Sequence, residues 1–266
     1  MSTQDTAALI ESVNNMTATV AGKMGEIDQK VDKATQAVPL TVKNLFDQTL
    51  YVNEATGSSD NDGLSDAKPV KWLKDAINKV PAGGKVRIIV RNNVLKFHDD
   101  WPMDGRNKQG FDVANGRTVH IDLSGHYLMI NTTHWNAWAP DNLNSTNPSL
   151  DKTFVVSANS FMEIYNGSIR INPQSGDEGK SLYAHTSVSC VFNNDSSRTQ
   201  LSSMTIDSTV PNVGLFGLDN WGAMGFDVHM RDTTLSGTGL LRRISNSAVA
   251  NDIEIKKLNV TSTWTE

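Results

Sequence analysis

The sequence has little cysteine, modest charge and no long hydrophobic run. Its single cysteine, Cys190, excludes an intrachain disulfide and any metal site built from several cysteines. Charged residues make up 20% of the chain and the net charge is -5, which argues against a protein that mainly neutralises phosphate backbones. No segment approaches the ~20 apolar residues that span a bilayer, and the first residues, MSTQDTAALIES, lack the pattern of a secretory signal. We therefore expect no nucleic-acid partner, no membrane insertion and synthesis in the cytoplasm.

The chain of 266 residues is long enough for one large domain or two ordinary ones. Hydrophobic residues form 38% of it, which argues against wholesale disorder. Much of its polarity comes from Asn, Ser, Thr and Gly rather than from charge, and this mixture favours many strands joined by many turns. The composition therefore predicts a protein made mainly of β-strands.

Residues 1–37 carry a different pattern, in which apolar residues recur at alternating steps of three and four. This spacing is that of the a/d seam of a coiled coil, interrupted at one position by a threonine. The seam residues are Ile10, Val13, Thr17, Val20, Met24, Ile27, Val31 and Ala34. Because so narrow a stripe suits self-association better than packing on a globular face, we expect an oligomeric stalk. A helix folded back on the following domain and a short surface helix that frays are the alternatives, and the seam alone does not separate dimer from trimer.

Pro39 is expected to end the helix within a linker at residues 38–49, after which the apolar period changes to two. One further helix is predicted at residues 69–79, because Pro69 suits a first helical position and one face is apolar. The predicted strands are residues 50–52, 85–90, 119–123, 127–130, 161–171, 201–206, 226–235 and 253–260.

In four of the later segments, two apolar residues lie five positions apart across small or polar residues, a distance that lets a strand turn a corner. The residues expected to be equivalent from one segment to the next are Leu128, Ile169, Met204, Leu235 and Leu258. Their uneven spacing fits a solenoid with side loops. An antiparallel sandwich would account for the same strands.

Residues 50–90 carry a more specific pattern, LYVNEATGSSDNDGLSDAKPVKWLKDAINKVPAGGKVRIIV. A strand, a loop rich in Asn, Asp and Gly, a helix led by proline, a Pro-x-Gly-Gly turn and a long strand follow one another. The residues that carry it are Asn61, Asp62, Gly63, Leu64, Ser65, Pro69, Leu73, Ala76, Ile77, Pro81, Gly83 and Gly84. The segment resembles the start of the right-handed parallel β-helix in bacteriophage tail-spike and tail-fibre proteins.

This resemblance implies a mainly β fold, in which an N-terminal trimeric α-helical coiled-coil stalk precedes a short right-handed parallel β-helix. It assigns residues 1–37 to a stalk for virion attachment, 38–49 to a linker, 50–84 to a strand-loop-helix cap and 85–266 to a β-helix-like strand domain with irregular side loops. A capping helix with one apolar face would cover strand edges that otherwise pair with other chains.

The same resemblance implies a homotrimeric virion fibre or short spike on the exterior of a bacteriophage. Such a protein takes part in attachment to host surface glycan and binds other virion proteins through its stalk, and we expect it to be non-enzymatic. Two alternatives stay open. One is a structural connector, such as a tail, collar or head fibre, that carries another receptor-binding protein. The other is a tail spike that depolymerises glycan as a hydrolase or lyase.

Glycan hydrolysis usually needs two carboxylates ~5–10 Å apart. The candidate acids are Asp99, Asp100, Asp104, Glu163 and Asp207. No paired-acid motif stands out, and Glu163 lies between Met162 and Ile164, which predicts that it faces water. The six histidines show no i, i+4 pairing, and residues 60–63 lack the downstream acid of a calcium loop. We therefore expect no metal and no cofactor.

Tryptophan side chains in polar loops are the candidates for glycan or partner binding, namely Trp101, Trp135, Trp138 and Trp221. An indole face can stack on a sugar ring while neighbouring amides and carboxylates bind its hydroxyls. Tryptophan is also enriched at protein interfaces, so a subunit contact is the alternative. Trp264, near the end of the sequence, is expected to pack on another subunit or on a partner protein.

Overall fold

The computed structural model describes residues 3–96, 111–132, 150, 153–156, 159–173, 175–180, 190–194, 197–218, 226–244 and 253–265. The chain divides into two compact units, Met1–Leu45 and Phe46–Glu266. The first unit is helical, and the second contains the strands and a short helix.

The first unit is one long helix, α1, Thr3–Phe46. The apolar residues of its predicted seam are solvent-exposed in the single chain: Ile10, Val13, Val20, Met24, Ile27 and Val31 are each between 50% and 60% exposed. A helix this polar buries nothing along its stripe unless the stripe meets a partner. The predicted helix is therefore present, and its seam is available for contact.

The helix was expected to end at Pro39, but it continues to Phe46 through most of the predicted linker. A proline removes one backbone hydrogen bond and costs ~3 kcal/mol in a helix interior, which is a local penalty rather than an absolute stop. Exposed apolar side chains continue at a helical interval across it, from Val38 just before the proline to Val42 and Phe46 beyond it. The helical period of the sequence thus extends past the proline.

The second unit contains these elements in chain order: β1 (Asp47–Val52), α2 (Leu73–Asn78), β2 (Lys85–Val90), β3 (Val94–Lys96), β4 (Phe111–Val113), β5 (Thr118–Asp122), β6 (Tyr127–Asn131), β7 (Phe154–Val156), β8 (Phe161–Asn172), β9 (Cys190–Asn194), β10 (Arg198–Ser208), β11 (Gly214–Leu218), β12 (Phe226–Gly237), β13 (Leu240–Ile244) and β14 (Ile253–Ser262). All the strands predicted from the apolar period of two are present, and the bounds of β2 are those predicted.

The helix α2 is shorter than predicted, because Val70 is not helical. Val70 forms a parallel bridge with Val52, and its N–H donates to the Tyr51 carbonyl at 2.9 Å. The chain therefore stays extended after Pro69 and turns into the helix only at Leu73.

Every strand pairing among the described residues is parallel. One sheet has nine strands, in the order β1-β2-β5-β8-β10-β12-β14, with β6 also paired to β8 and β3 to β6. The other has five, in the order β13-β11-β9-β7-β4. The parallel pairing contradicts an antiparallel sandwich.

The predicted fold class, a right-handed parallel β-helix behind a stalk and cap, is wrong. The residues that the structure describes form two helices, of which one is N-terminal, and strands that make up two parallel sheets. The prediction was drawn from residues 50–90, which determine a local strand, loop and helix. The arrangement of the later strands depends instead on which strands hydrogen-bond across long connections, and that information does not lie in the segment that carried the resemblance.

Each long strand at one side of the nine-stranded sheet contains a residue with a left-handed backbone. These four residues, which we call the bend column, are Asn166, Ser203, Asp232 and Asn259, with φ of 56°, 53°, 49° and 53°. The register places them opposite one another on β8, β10, β12 and β14. Asn and Asp tolerate this conformation better than other residues with a Cβ. The corner predicted between paired apolar residues is therefore present on β8 and β12, whereas on β14 the bend at Asn259 lies just after the predicted pair Ile253 and Leu258.

The predicted equivalence of apolar residues is shifted on two strands. Ile169 pairs with Leu128 as predicted, but its partner on β10 is Ile206 rather than Met204. Met204, which directly follows the bend residue Ser203, is buried as Ile206 is. Hydrophobicity alone therefore does not decide which of these two residues is equivalent to Ile169. Leu258 on β14 lies outside this row and is 59% exposed.

A column of phenylalanines runs through the five-stranded sheet. Phe111, Phe154, Phe192 and Phe216 are at most 1% exposed, and successive ring centroids lie 4.9, 5.1 and 5.5 Å apart. The rings contact one another because these residues are paired directly between neighbouring strands; Phe111 is tilted against Phe154, and the other two contacts are stacked. Burial of one such side chain contributes ~1.5–3 kcal/mol, so this column is a main part of the core.

Trp264, which was expected to pack on another subunit or on a partner protein, is buried within its own chain. Its side chain is 5% exposed, and its Nε1 donates to the Ser236 carbonyl at 2.7 Å. A Cβ at position 239 would lie 2.5 Å from the indole ring, so the absence of a side chain at Gly239 makes room for the ring. Trp264 therefore packs within its own chain.

Candidate functional site

Most of the predicted site residues lie outside the described residues. Asp99, Asp100, Asp104 and Trp101 fall within residues 97–110, Trp135 and Trp138 within 133–149, and Trp221 within 219–225. Of the candidate acids, the structure places Glu163 and Asp207.

Glu163 and Asp207 are not brought together. Glu163 precedes the bend column on β8 and pairs in register with Gln200, whereas Asp207 follows the bend on β10 and pairs with Arg170. Asp207 accepts a hydrogen bond from the Ser236 hydroxyl at 2.7 Å. These two acids therefore do not form the carboxylate pair that glycan hydrolysis requires.

The outward face of the nine-stranded sheet carries a row of polar side chains, one from each strand of its main path. The members of this polar row are Thr49, Arg87, His120, Glu163, Gln200, His229 and Lys256. Side chains alternate between the two faces of a strand, so the apolar residues on either side of each member point to the core. On β2, for example, Arg87 is exposed between the buried Val86 and Ile88.

Arg87 contacts a buried carboxylate, Asp122, which lies two residues after His120 on the neighbouring strand β5. The Arg87 Nη2 donates to Asp122 Oδ2 at 2.8 Å, and the Asp122 side chain is 9% exposed while that of Arg87 is 53% exposed. The other oxygen, Oδ1, accepts from the Ser124 backbone N–H at 3.0 Å and from Asn166 Nδ2 at 3.4 Å. Asn166 belongs to the bend column, so the strand geometry also supplies a partner for this acid.

Burial alone would raise the pKa of Asp122. The hydrogen bonds from Arg87, from the Ser124 N–H and from Asn166 outweigh burial, and they hold the pKa below its usual value. The same contact raises the pKa of Arg87 above its usual value. The pair is therefore ionised at neutral pH.

Tyr165 lies beside this pair on β8, in register with Asp122. Burial and the negative charge of Asp122 raise the pKa of its phenol above the usual value, although a hydrogen bond with Arg87 acts the other way. The phenol therefore keeps its proton at neutral pH and remains a hydrogen-bond donor.

The Glu163 carboxylate is held by three side chains. His120 Nδ1 lies 2.8 Å from Oε2, while Oε1 accepts from Gln200 Nε2 at 2.9 Å and from the Ser202 hydroxyl at 3.2 Å. An ionised carboxylate only accepts, so the hydrogen in the first contact belongs to His120 Nδ1. Glu163 lies on the outward face as its neighbours predicted, but its side chain is only 19% exposed because these partners cover it.

A groove of about 470 Å³ lies over this part of the sheet. Its lining residues are Asp47, Gln48, Thr49, Lys85, Arg87, His120 and Tyr165. They come from four neighbouring strands, β1, β2, β5 and β8. The groove therefore has arginine and imidazole groups in its wall, each held by a carboxylate on the neighbouring strand.

The sequence contains a signal for this site that the prediction missed. Successive strands carry an ionisable residue between two apolar ones, as in Val-Arg-Ile at 86–88, Val-His-Ile at 119–121 and Met-Glu-Ile at 162–164. Parallel pairing in register turns such triplets into one row. Only the register shows that they are neighbours.

No protein-family model, no curated protein and no solved structure matches the chain. In the part of the chain that the structure describes, no three His, Cys, Asp or Glu side chains are grouped as metal ligands would be. The described helices include none with the length and apolar character needed to cross a bilayer.

Proposed function

We propose that this protein is a subunit of a bacteriophage virion fibre or short spike. It assembles as a homotrimer through α1, is held to other virion proteins through the same helix, and takes part in attachment to the host surface. The observation that carries the proposal is the apolar seam of α1, which is exposed along the length of the helix in the single chain.

Self-association accounts for this exposure better than solvation does. Each of the six large apolar side chains of the seam keeps half or more of its surface in water in the single chain, and burial stabilises by ~25 cal/mol per Å² of apolar surface. The polar residue of the seam is also accommodated, because the Thr17 hydroxyl donates to the Val13 carbonyl at 2.8 Å. A hydroxyl satisfied within its own helix can enter a helical interface without losing a hydrogen bond.

Light scattering of the full chain tests the assembly. We expect a mass of three copies of the 29.1 kDa chain. Ile27→Asp places a charge in the seam and should give single chains, whereas Gln29→Asp adds the same charge off the seam and should leave the trimer intact. A single-chain mass for the unaltered protein, or equal effects of the two variants, contradicts the proposal.

Attachment is tested by binding of fluorescently labelled trimer to whole cells from a panel of bacterial strains. We expect saturable binding to a subset of strains. A trimer that binds none of them contradicts the attachment role and favours the connector function, because a connector does not bind cells by itself.

A further inference from the structure

We propose that the groove around Arg87 and His120 is an oxyanion site, which binds a carboxylate or phosphate group of a ligand. If the ligand is a group on the host surface, this inference rests on the proposed function. The binding event itself does not require α1 to assemble.

The two groups at the centre of the site are held in place before any ligand arrives. Asp122 orients the Arg87 guanidinium at 2.8 Å, and Glu163 orients the His120 ring at the same distance. Groups fixed in this way lose little conformational freedom on binding, which favours affinity. Arg87 and His120 thus line the groove, and the two carboxylates hold them from the neighbouring strands.

The oxygens of the supporting acids are already occupied. Both oxygens of Asp122 and both oxygens of Glu163 accept hydrogen bonds from protein groups. With its hydrogen on Nδ1, the neutral His120 ring has a lone pair at Nε2 and donates from that atom only as imidazolium, so Arg87 and Lys85 supply the donors. Arg87 has five N–H groups, of which Asp122 and Tyr165 engage some. A ligand in the groove therefore meets donors more than acceptors.

Lys85 adds a second cation next to Arg87. The two residues lie at alternate positions of β2 and share its outward face. Within the described residues, the Lys85 ammonium makes no hydrogen bond or ion pair, and it lines the same groove. An arginine fork, a lysine point charge and an imidazole are the groups that proteins use to bind carboxylate and phosphate oxygens.

One acid opposes this arrangement. Asp47 pairs in register with Lys85 and also lines the groove. The negative charge of Asp47 weakens the binding of an anion beside it, so removing this charge should strengthen anion binding. Variants at these two positions should therefore act in opposite directions.

The test uses the full chain with ¹³C-labelled histidine, in which six Cε1 signals report the histidines and His120→Gln assigns one of them. Sodium phosphate or sodium acetate is added at constant ionic strength against sodium chloride. We expect the His120 signal to shift saturably with one or both anions. A saturable shift with phosphate alone indicates a phosphate ester as ligand, and a saturable shift with acetate alone indicates a carboxylate.

Lys85→Gln should weaken this binding about fivefold, and Asp47→Asn should strengthen it. Arg198→Gln is the matched control, because Arg198 is 53% exposed like Arg87 and is likewise paired with an acid, Asp227, on the same sheet. Arg198→Gln should leave the affinity for both anions unchanged. Absence of a saturable shift with either anion, or equal weakening by Lys85→Gln and Arg198→Gln, overturns the inference. A saturable shift in a chain that proves monomeric keeps the oxyanion site and removes the assembly instead.

Discussion

Arg87 and Asp122 are 35 residues apart in the chain, and their side chains meet at 2.8 Å on neighbouring strands of the nine-stranded sheet. The carboxylate is nearly buried and the guanidinium half exposed, although both lie on the outward face of the sheet. A contact of this kind links stability to pH and also shapes the groove.

The first prediction concerns acid stability. The folded-state pKa of Asp122 is depressed, so its contribution to stability is present above the unfolded pKa, near 3.8, and is lost as the pH falls through the folded value. Asp122→Asn should lower the free energy of unfolding by ~1–2 kcal/mol at pH 7, with a smaller difference from the unaltered protein near pH 3. Urea unfolding at the two pH values measures this.

The control for that experiment is Asp227→Asn, which breaks the exposed pair with Arg198. An exposed pair contributes ~0–1 kcal/mol, so this variant should stay close to the unaltered protein at both pH values. A loss from Asp122→Asn that is the same at pH 3 and pH 7 would contradict the role assigned to the ionised pair.

The second prediction concerns the bend column. Asn166 has φ of 56°, and a β-branched residue is poorly tolerated there. Asn166→Val should destabilise the protein by ~1–2 kcal/mol in thermal or urea unfolding. Thr205→Val, at an exposed position of β10 without a left-handed backbone, should have little effect, and equal effects of the two would argue against backbone strain as the cause.

The third prediction concerns the phenylalanine column. Phe192 stacks between Phe154 and Phe216, so Phe192→Ala opens a cavity with a ring on either side. We expect a loss of ~3–5 kcal/mol in the free energy of unfolding. Phe192→Leu retains most of the volume and should lose less, and a small effect of the alanine variant would show that the column is not a main part of the core.

The fourth prediction concerns Trp264. Trp264→Phe keeps a ring in the site but leaves the Ser236 carbonyl without the Nε1 donor, which should lower the free energy of unfolding by ~1 kcal/mol. The mass measured by light scattering should not change, because the side chain packs within its own chain. A loss of assembly with unaltered stability would instead support the subunit contact expected from the sequence.

Much of the local structure could be predicted from the sequence, because it depends on short-range patterns. The period of two identified β2 at its observed bounds, and the pair Ile164 and Ile169 identified the corner at Asn166. The extended chain at Val70 was missed because its bridge to Val52 is a tertiary contact. The continuation of α1 beyond Pro39 was missed because one residue was given more weight than the helical period around it.

The sequence by itself determined the helical seam, the longer strands of the nine-stranded sheet and the corners at Asn166 and Asp232, since each depends on how neighbouring residues alternate between apolar and polar; the strands of the five-stranded sheet were not predicted. Only the tertiary structure decided that these strands form two parallel sheets, and that Arg87, His120 and Glu163 lie side by side. The physical reason is that register between strands is set by hydrogen bonds and core packing across long connections. A shift by one residue would turn every member of the polar row to the opposite face.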